Sequence, residues 1–277
     1  MNSSVQINKS EERTSNSNCS VELKDVNLIY KNGKQYLNVL SDINLKLFNE
    51  DFVCVLGPSG CGKTSLLNAI AGYNTDISGQ VLINGMPHNK PNPDVGVVFQ
   101  QPNIFPWASV EKNVEFGLKM KGIQKRERVE IVNHYIKLVG LEKSRKLLPH
   151  QLSGGMKQRA AIARTLAADS KVVLLDEPFS ALDALTRESM QKHIKKLWKE
   201  SNKCFFFITH DVDEAILLSN RIIVMNANPG RIVSDFKNPL QQYDDDSFKK
   251  IRSSEEFVQL RDSLIGLIQG VDLEVEV

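Results

Sequence analysis

Residues 21–30 and 38–48 alternate apolar and polar side chains, with Gly33 in the link between them. That two-residue period predicts antiparallel strands. Residues 52–56, FVCVL, form an unbroken apolar run with β-branched members, the pattern of a buried strand. A glycine-rich turn follows, and then residues 63–71 predict a helix that stops at Gly72. Residues 80–83, ahead of Asn84-Gly85, read as a hairpin arm, and residues 95–99 as another buried strand. From 101 to 165 the period lengthens. Residues 111–120 and 125–139 carry apolar side chains at 3.6-residue spacing, so a helical subdomain is expected there. Strand-like runs return at 171–175, 204–209 and 221–225 with helix-like segments between them, and 231–236 adds a last strand after Pro229-Gly230. Strands alternating with helices predict an α/β fold with a mostly parallel core sheet and an antiparallel β flank. In the tail, 237–277, residues 254–269 place Phe257, Leu260, Leu264, Leu267 and Ile268 on one helix face, as a helix packed on its own domain would. Residues 1–20 are rich in Ser, Asn and charge without a period, and are expected to be disordered.

Composition narrows the class. Of 277 residues, 41% are hydrophobic and 25% charged, enough for a buried core. Thirty-five Lys+Arg against 33 Asp+Glu leave a formal charge of +2, which gives no global field for gripping nucleic acid. No apolar run approaches the ~20 residues that span a bilayer, so work at a membrane would require other chains to carry the spans. The N-terminus has no apolar core of a signal peptide. Cys19, Cys54, Cys61 and Cys204 show no CxxC and no metal spacing; Cys54 and Cys204 read as core residues, and no disulfide framework is expected.

The chemistry sits in three segments. Gly57-Pro58-Ser59-Gly60-Cys61-Gly62-Lys63-Thr64 matches G-x-x-x-x-G-K-[ST] between a predicted buried strand and a helix. Glycines there let backbone N–H groups turn onto phosphate oxygens, and the helix N-terminus adds positive potential. Lys63 supplies a point charge to the β and γ phosphates and Thr64 a hydroxyl to Mg²⁺, with Ser65 completing the nucleotide-binding set. The second segment is the apolar run Val172-Val173-Leu174-Leu175, ending in Asp176-Glu177. Asp176 would reach the Mg²⁺ shell, and Glu177 could orient or deprotonate an attacking water. The third is LSGGMKQR, residues 152–159. Ser153, Gly154 and Gly155 put a hydroxyl and free backbone N–H groups at another helix N-terminus, a second anion site. A chain with one P-loop and two such termini is most simply explained if the second serves a nucleotide held by another copy.

LSGGMKQR, the P-loop, LLDEP and Ser180-Ala181-Leu182-Asp183 together resemble the nucleotide-binding subunits of ABC transporters, in that family's order and over roughly residues 21–236. The resemblance implies a P-loop NTPase fold with a helical signature subdomain, and a head-to-tail homodimer with two ATPs sandwiched between P-loop and signature. It also implies that Gln100 is the glutamine touching Mg²⁺ and water, His210 the switch histidine contacting the γ-phosphate, and Asp183 an aspartate at the dimer interface. Tyr30 is the candidate to stack on adenine, with Tyr36 its rival. VVFQQPNIFPW, HDVDEAI followed by NPGRI, and the tail SEEFVQLRDSLIGLIQ resemble the importer ATPases for nitrate, sulfonates and taurine. Expected partners are transmembrane permease subunits and an extracytoplasmic solute-binding protein, with this chain peripheral at the cytoplasmic membrane face. The competing readings are an exporter ATPase, a soluble ABC-type ATPase acting on ribosomes or DNA, and a nucleotide-binding module without turnover.

Overall fold

The computed structural model describes residues 19–33, 35–74, 76–241 and 248–270. The N-terminal segment expected to be disordered lies outside these residues, except for Cys19 and Ser20, which open the first strand. The chain divides into two units, one formed by Met1–Asn92 with Trp198–Val277, the other by Pro93–Leu197.

In the first unit, β1 (Cys19–Asn32) and β2 (Gln35–Phe48) pair antiparallel, and β4 (Ile77–Ile83) and β5 (Met86–Pro87) continue the sheet in the order β2-β1-β4-β5. Buried positions follow the two-residue period, but with a slip: Val21 and Leu23, then Val26 and Leu28 on β1. Register shifts at the same place, between Leu23 and Val26. Asp25 and Asp42 take positive φ there, and Asn27 and Asn44 hydrogen-bond the backbone of Asp42 and Asp25. Polar side chains thus satisfy backbone groups that a bulge removes from the ladder.

Beside this flank, β3 (Phe52–Leu56) runs parallel to β8 (Cys204–Ile208) and to β9 (Arg221–Asn226), and β10 (Arg231–Lys237) returns antiparallel on β9. Every residue of β3 and β8 is buried, as the continuous apolar runs require. Phe52 packs its ring against Trp198, Phe205 and Phe207 at centroid distances of 5.4–5.9 Å. Arg221 anchors the start of β9: it donates to both Asp235 oxygens at 2.7 and 2.6 Å, to Asp51 at 3.2 Å and to the Lys46 carbonyl at 2.7 Å. Burial works against the guanidinium's charge, but Asp235 and Asp51 outweigh it and hold its pKa above the ordinary value.

The helices of this unit are α1 (Lys63–Ile70), α6 (Val212–Leu218), α7 (Phe248–Arg252) and α8 (Glu255–Gln269). Ser254 caps α8 by accepting from the Phe257 N–H, Gly270 ends it at φ 69°, and Phe257, Leu260 and Leu264 are buried, the apolar face read from the sequence.

In the second unit β6 (Val95–Val98) lies parallel to β7 (Val172–Asp176). The helical stretch consists of α2 (Val110–Met120), α3 (Lys125–Leu138) and α4 (Gly154–Ala167), and α5 (Ala184–Lys199) follows β7. Of the three helices, α4 is tied to the strands. Thr165 donates to the Val97 carbonyl at 3.1 Å and Gln158 to the Phe99 carbonyl at 3.1 Å, stitching α4 to β6. No helix among the described residues is long and apolar enough to cross a membrane.

Candidate active site

The residues singled out from the sequence fall into both units. In the first, β3 delivers the chain into the P-loop and α1 leaves it. Gly62 sits at the N-cap in the left-handed region at φ 91°, with no side-chain cap, so the first-turn N–H groups of α1 remain for an external anion. Gly57 has φ 154°, and a Cβ there would run into the Met225 carbonyl oxygen and Cys61 Sγ. Only glycine lets this backbone pass so close to β9. Pro58, Ser59 and Gly60 form the tip, with Ser59 and Gly60 exposed and Cys61 buried. The Lys63 ammonium folds over the loop, 2.7 Å from the Gly57 carbonyl, 3.0 Å from that of Pro58 and 3.7 Å from Cys61 Sγ. Its acceptors are thus neutral groups, for which a phosphate is a stronger substitute. Thr64 is exposed on the first turn of α1 and Ser65 half-buried beside it.

Tyr30 and Tyr36 are distinguished by their neighbours. Tyr30 is 41% exposed, its hydroxyl 3.5 Å from Asn74 Oδ1, and Asn74 donates to the Ser65 carbonyl on α1. Tyr36 is 70% exposed, with the Lys31 ammonium 5.8 Å from its ring centre. Asn74 therefore ties Tyr30, and not Tyr36, to the P-loop helix.

His210 is exposed on the turn from β8 into α6. Thr209 donates to Glu214 Oε2 at 2.6 Å and accepts from the Asp211 N–H at 3.0 Å. Asp211 caps α6 by accepting from the N–H groups of Asp213 and Glu214. Residues on both sides of the histidine are thus pinned. Sequence reasoning missed Thr209 and Glu214 in this role, although their placement around a His-Asp pair was a usable signal.

In the second unit Asp176 ends β7 buried. Glu177 follows at φ 44°, where a residue other than glycine is uncommon. Gln100 Nε2 donates to Glu177 Oε2 at 3.0 Å, so two residues 77 apart in sequence meet. Ser153 caps α4 by accepting from the Met156 N–H at 3.3 Å, leaving Gly154 and Gly155 in the first turn. A Cβ on Gly155 would press on the Ala181 carbonyl and the Leu182 side chain, which places the signature turn beside the segment leading to Asp183; at Gly154 the same position is open. Asp183 accepts from the Thr186 N–H at 3.0 Å, and that bond first, with one from the Thr186 side chain, holds its carboxyl below the usual range. Asn113, which the sequence did not flag, is fully buried; it accepts from the Phe105 N–H and donates to the carbonyls of Phe105, Ala108 and Ser109, fixing the segment after Gln100.

The donor chemistry suits the groups expected here. Among the described residues no cluster of His, Cys, Asp or Glu forms a metal cage of its own. In the first unit Thr64 offers a hydroxyl; in the second, taken by itself, Asp176 and Gln100 offer a carboxylate and an amide oxygen, each a hard donor of the kind Mg²⁺ takes.

The sequence matches the ABC transporter family over residues 40–180. An ABC transporter ATP-binding protein of Methanocaldococcus jannaschii is 45% identical over 95% of this chain and 97% of its own length. The chain belongs to the ABC transporter family. A taurine import ATP-binding protein of Roseobacter denitrificans is 43% identical, covering 87% of this chain and 90% of that one. A dimeric ATP-binding cassette in a post-hydrolysis state, bound to ADP and Pi, superposes with a TM-score of 0.72 at 33% identity, over 80% of this chain and all of that one. The P-loop ATPase fold and the ATPase class of this ABC protein follow from those likenesses.

Proposed function

We propose that this chain is the ATP-hydrolysing subunit of an importer for small sulfonate-type or nitrate-like solutes, working as a homodimer on the cytoplasmic face of the membrane with permease subunits and an extracytoplasmic solute-binding protein. The observation that carries this reading is a pair of glycine-bearing helix N-termini, at α1 and α4, in a chain with a single P-loop, each suited to an anion. One terminus serves the chain's own nucleotide; Ser153, Gly154 and Gly155 serve the partner's, with Asp183 at the interface. Tyr30 stacks on adenine, Gly57 to Ser65 wrap the phosphates, and Lys63 neutralises the β and γ oxygens. Thr64, Gln100 and Asp176 would hold Mg²⁺, which would supply positive charge to the phosphates. Glu177 accepts the proton of the attacking water while Gln100 steadies its carboxylate, and His210 contacts the γ-phosphate.

The permease partner is supported by a groove of about 470 Å³ in the second unit, lined by Phe105, Phe116, Met120 and Arg164 among others. Arg164 lies over the Phe105 ring at 5.2 Å and Phe116 packs on Phe105 at 4.6 Å. Trp107, 78% exposed, stands beside them. Clustered exposed aromatics of this kind mark a protein contact. The taurine importer ATPase of Roseobacter denitrificans supports the solute class.

Glu177→Gln tests the reading. The amide keeps shape but takes no proton, so hydrolysis falls by about 10²–10⁴-fold while nucleotide still binds. Mg-ATP then accumulates in a dimer visible by size-exclusion chromatography. Hydrolysis at the native rate, or a monomer that never dimerises with ATP, overturns it.

A further inference from the structure

The C-terminal helix α8 ends the described chain far in sequence from the P-loop, yet it packs on α6, the helix that begins two residues after His210. Seven residues are too few for α6 to hold itself in water, so its geometry comes from its neighbours. Inside, Ala215 to Leu218 are buried. At its N-terminus the Thr209–Glu214 bond and the Asp211 cap lock the turn. Outside, Phe257, Leu260 and Leu264 of α8 are buried, and Arg261 on the same helix donates Nε to Asp213 Oδ1 at 3.1 Å. Asp213 lies in the first turn of α6, three residues from His210, and its backbone N–H is itself bound by the Asp211 cap. Arg261 therefore grips the same short turn that aims His210.

We propose that α8 is a positioning element of the hydrolytic site, and that Arg261 and Asp213 are positioning residues: their ion pair fixes the first turn of α6 and thereby the direction of His210. The proposal rests on the reading of His210 as the γ-phosphate contact. The pair is half-exposed, 49% on Arg261 and 32% on Asp213. A screened pair of this kind shifts a two-state population by about two- to fivefold, not by orders of magnitude.

The test uses the full-length chain and compares Arg261→Asp, Arg261→Gln, Asp213→Asn and the double variants, with His210→Ala as reference. Steady-state ATPase rates are expressed per nucleotide-binding site, titrated with a fluorescent ATP analogue, so that a lost folded fraction does not count as a lost rate. Arg261→Asp and Arg261→Gln are expected to lower kcat by about two- to fivefold with KM for ATP within about twofold of native. In the Asp213→Asn background neither Arg261 change lowers kcat further, because the partner is already gone. Arg261→Lys, which keeps the charge, retains the native rate. A kcat loss of equal size with and without Asp213 overturns the proposal, as does an unchanged kcat in Arg261→Asp while His210→Ala is inactive. If His210→Ala itself hydrolyses ATP at the native rate, the role of His210 is wrong and the proposal falls with it.

Discussion

Thr209 is 2% exposed at the end of a fully buried strand, so burial alone ranks valine above threonine and serine there. The hydrogen bonds reverse that order. Thr209→Val keeps the volume, and no cavity opens. It deletes the 2.6 Å bond to the buried Glu214 carboxylate and the 3.0 Å acceptance from the Asp211 N–H. A bond to a charged group contributes about 1.5–3 kcal/mol. The Asp211 N–H is only part-buried, so its loss adds at most about 1 kcal/mol. Thr209→Val is therefore expected to destabilise the protein by about 2–3 kcal/mol. Thr209→Ser keeps both bonds and loses one methyl, about 1 kcal/mol. Urea denaturation followed by circular dichroism gives the ranking Thr, then Ser, then Val. ATPase assays should follow it, because the hydroxyl holds the turn that carries His210. The folded state still dominates after a loss of that size, so a lower kcat in Thr209→Val than in Thr209→Ser reports the displaced turn and not unfolding. A valine variant as stable as the serine variant, or as active as native, refutes the reasoning.

Arg221→Met is expected to cost about 3–5 kcal/mol in urea denaturation, since Asp51 and Asp235 each lose a guanidinium donor in a largely buried setting; adding Asp235→Asn should recover part of that loss. Gly57→Ala drives a Cβ into the Met225 carbonyl oxygen at φ 154°, and ATP binding by fluorescence titration should be lost. Gly122→Ala, at φ 74° but with nothing within 4 Å, should bind ATP normally and cost only about 1 kcal/mol.

The buried strands and the P-loop were legible in the sequence because their signals are local. FVCVL is β3 residue for residue, and the spacing from Gly57 to Thr64 carries its own chemistry. The flank was legible only in part. The alternation ended at residue 30 by sequence, whereas β1 continues to Asn32 and starts at Cys19. Bulges at Asp25 and Asp42 shift the period, and a fixed two-residue template loses the strand at each slip. Arg221 was invisible as an anchor, since Asp51 lies 170 positions away. The role of Asn113 was hidden for a different reason: a polar residue at a helical position reads as solvent-facing until the loop that wraps it is known. Tyr30 and Tyr36 could not be separated by type or spacing, and only the Asn74 contact distinguishes them.

The acidic pair at the end of β7 shows why a motif of two letters needs a longer stretch to work. Asp176 and Glu177 are adjacent, and in an extended strand their side chains would point to opposite faces. Glu177 leaves the strand at φ 44°, which redirects the chain right after Asp176. Such a conformation costs of order 1–3 kcal/mol and persists only if the surroundings hold it. The following residues supply the hold. Ser180 donates to the Glu177 carbonyl through both its N–H, at 3.2 Å, and its hydroxyl, at 2.9 Å, closing a turn around the strained residue. Phe179 and Leu182 are buried, and Asp183 starts α5 by capping the Thr186 N–H. Because its carboxyl is held below the usual range by that bond, the cap's contribution is complete above the unfolded pKa and fades only as pH falls through the lower folded one. Near neutrality, then, the turn that aims Glu177 at Gln100 is braced at both ends, by β7 and by a capped helix. The segment from Asp176 to Asp183 acts as one device, whose polar residues set the angle of the Glu177 carboxylate.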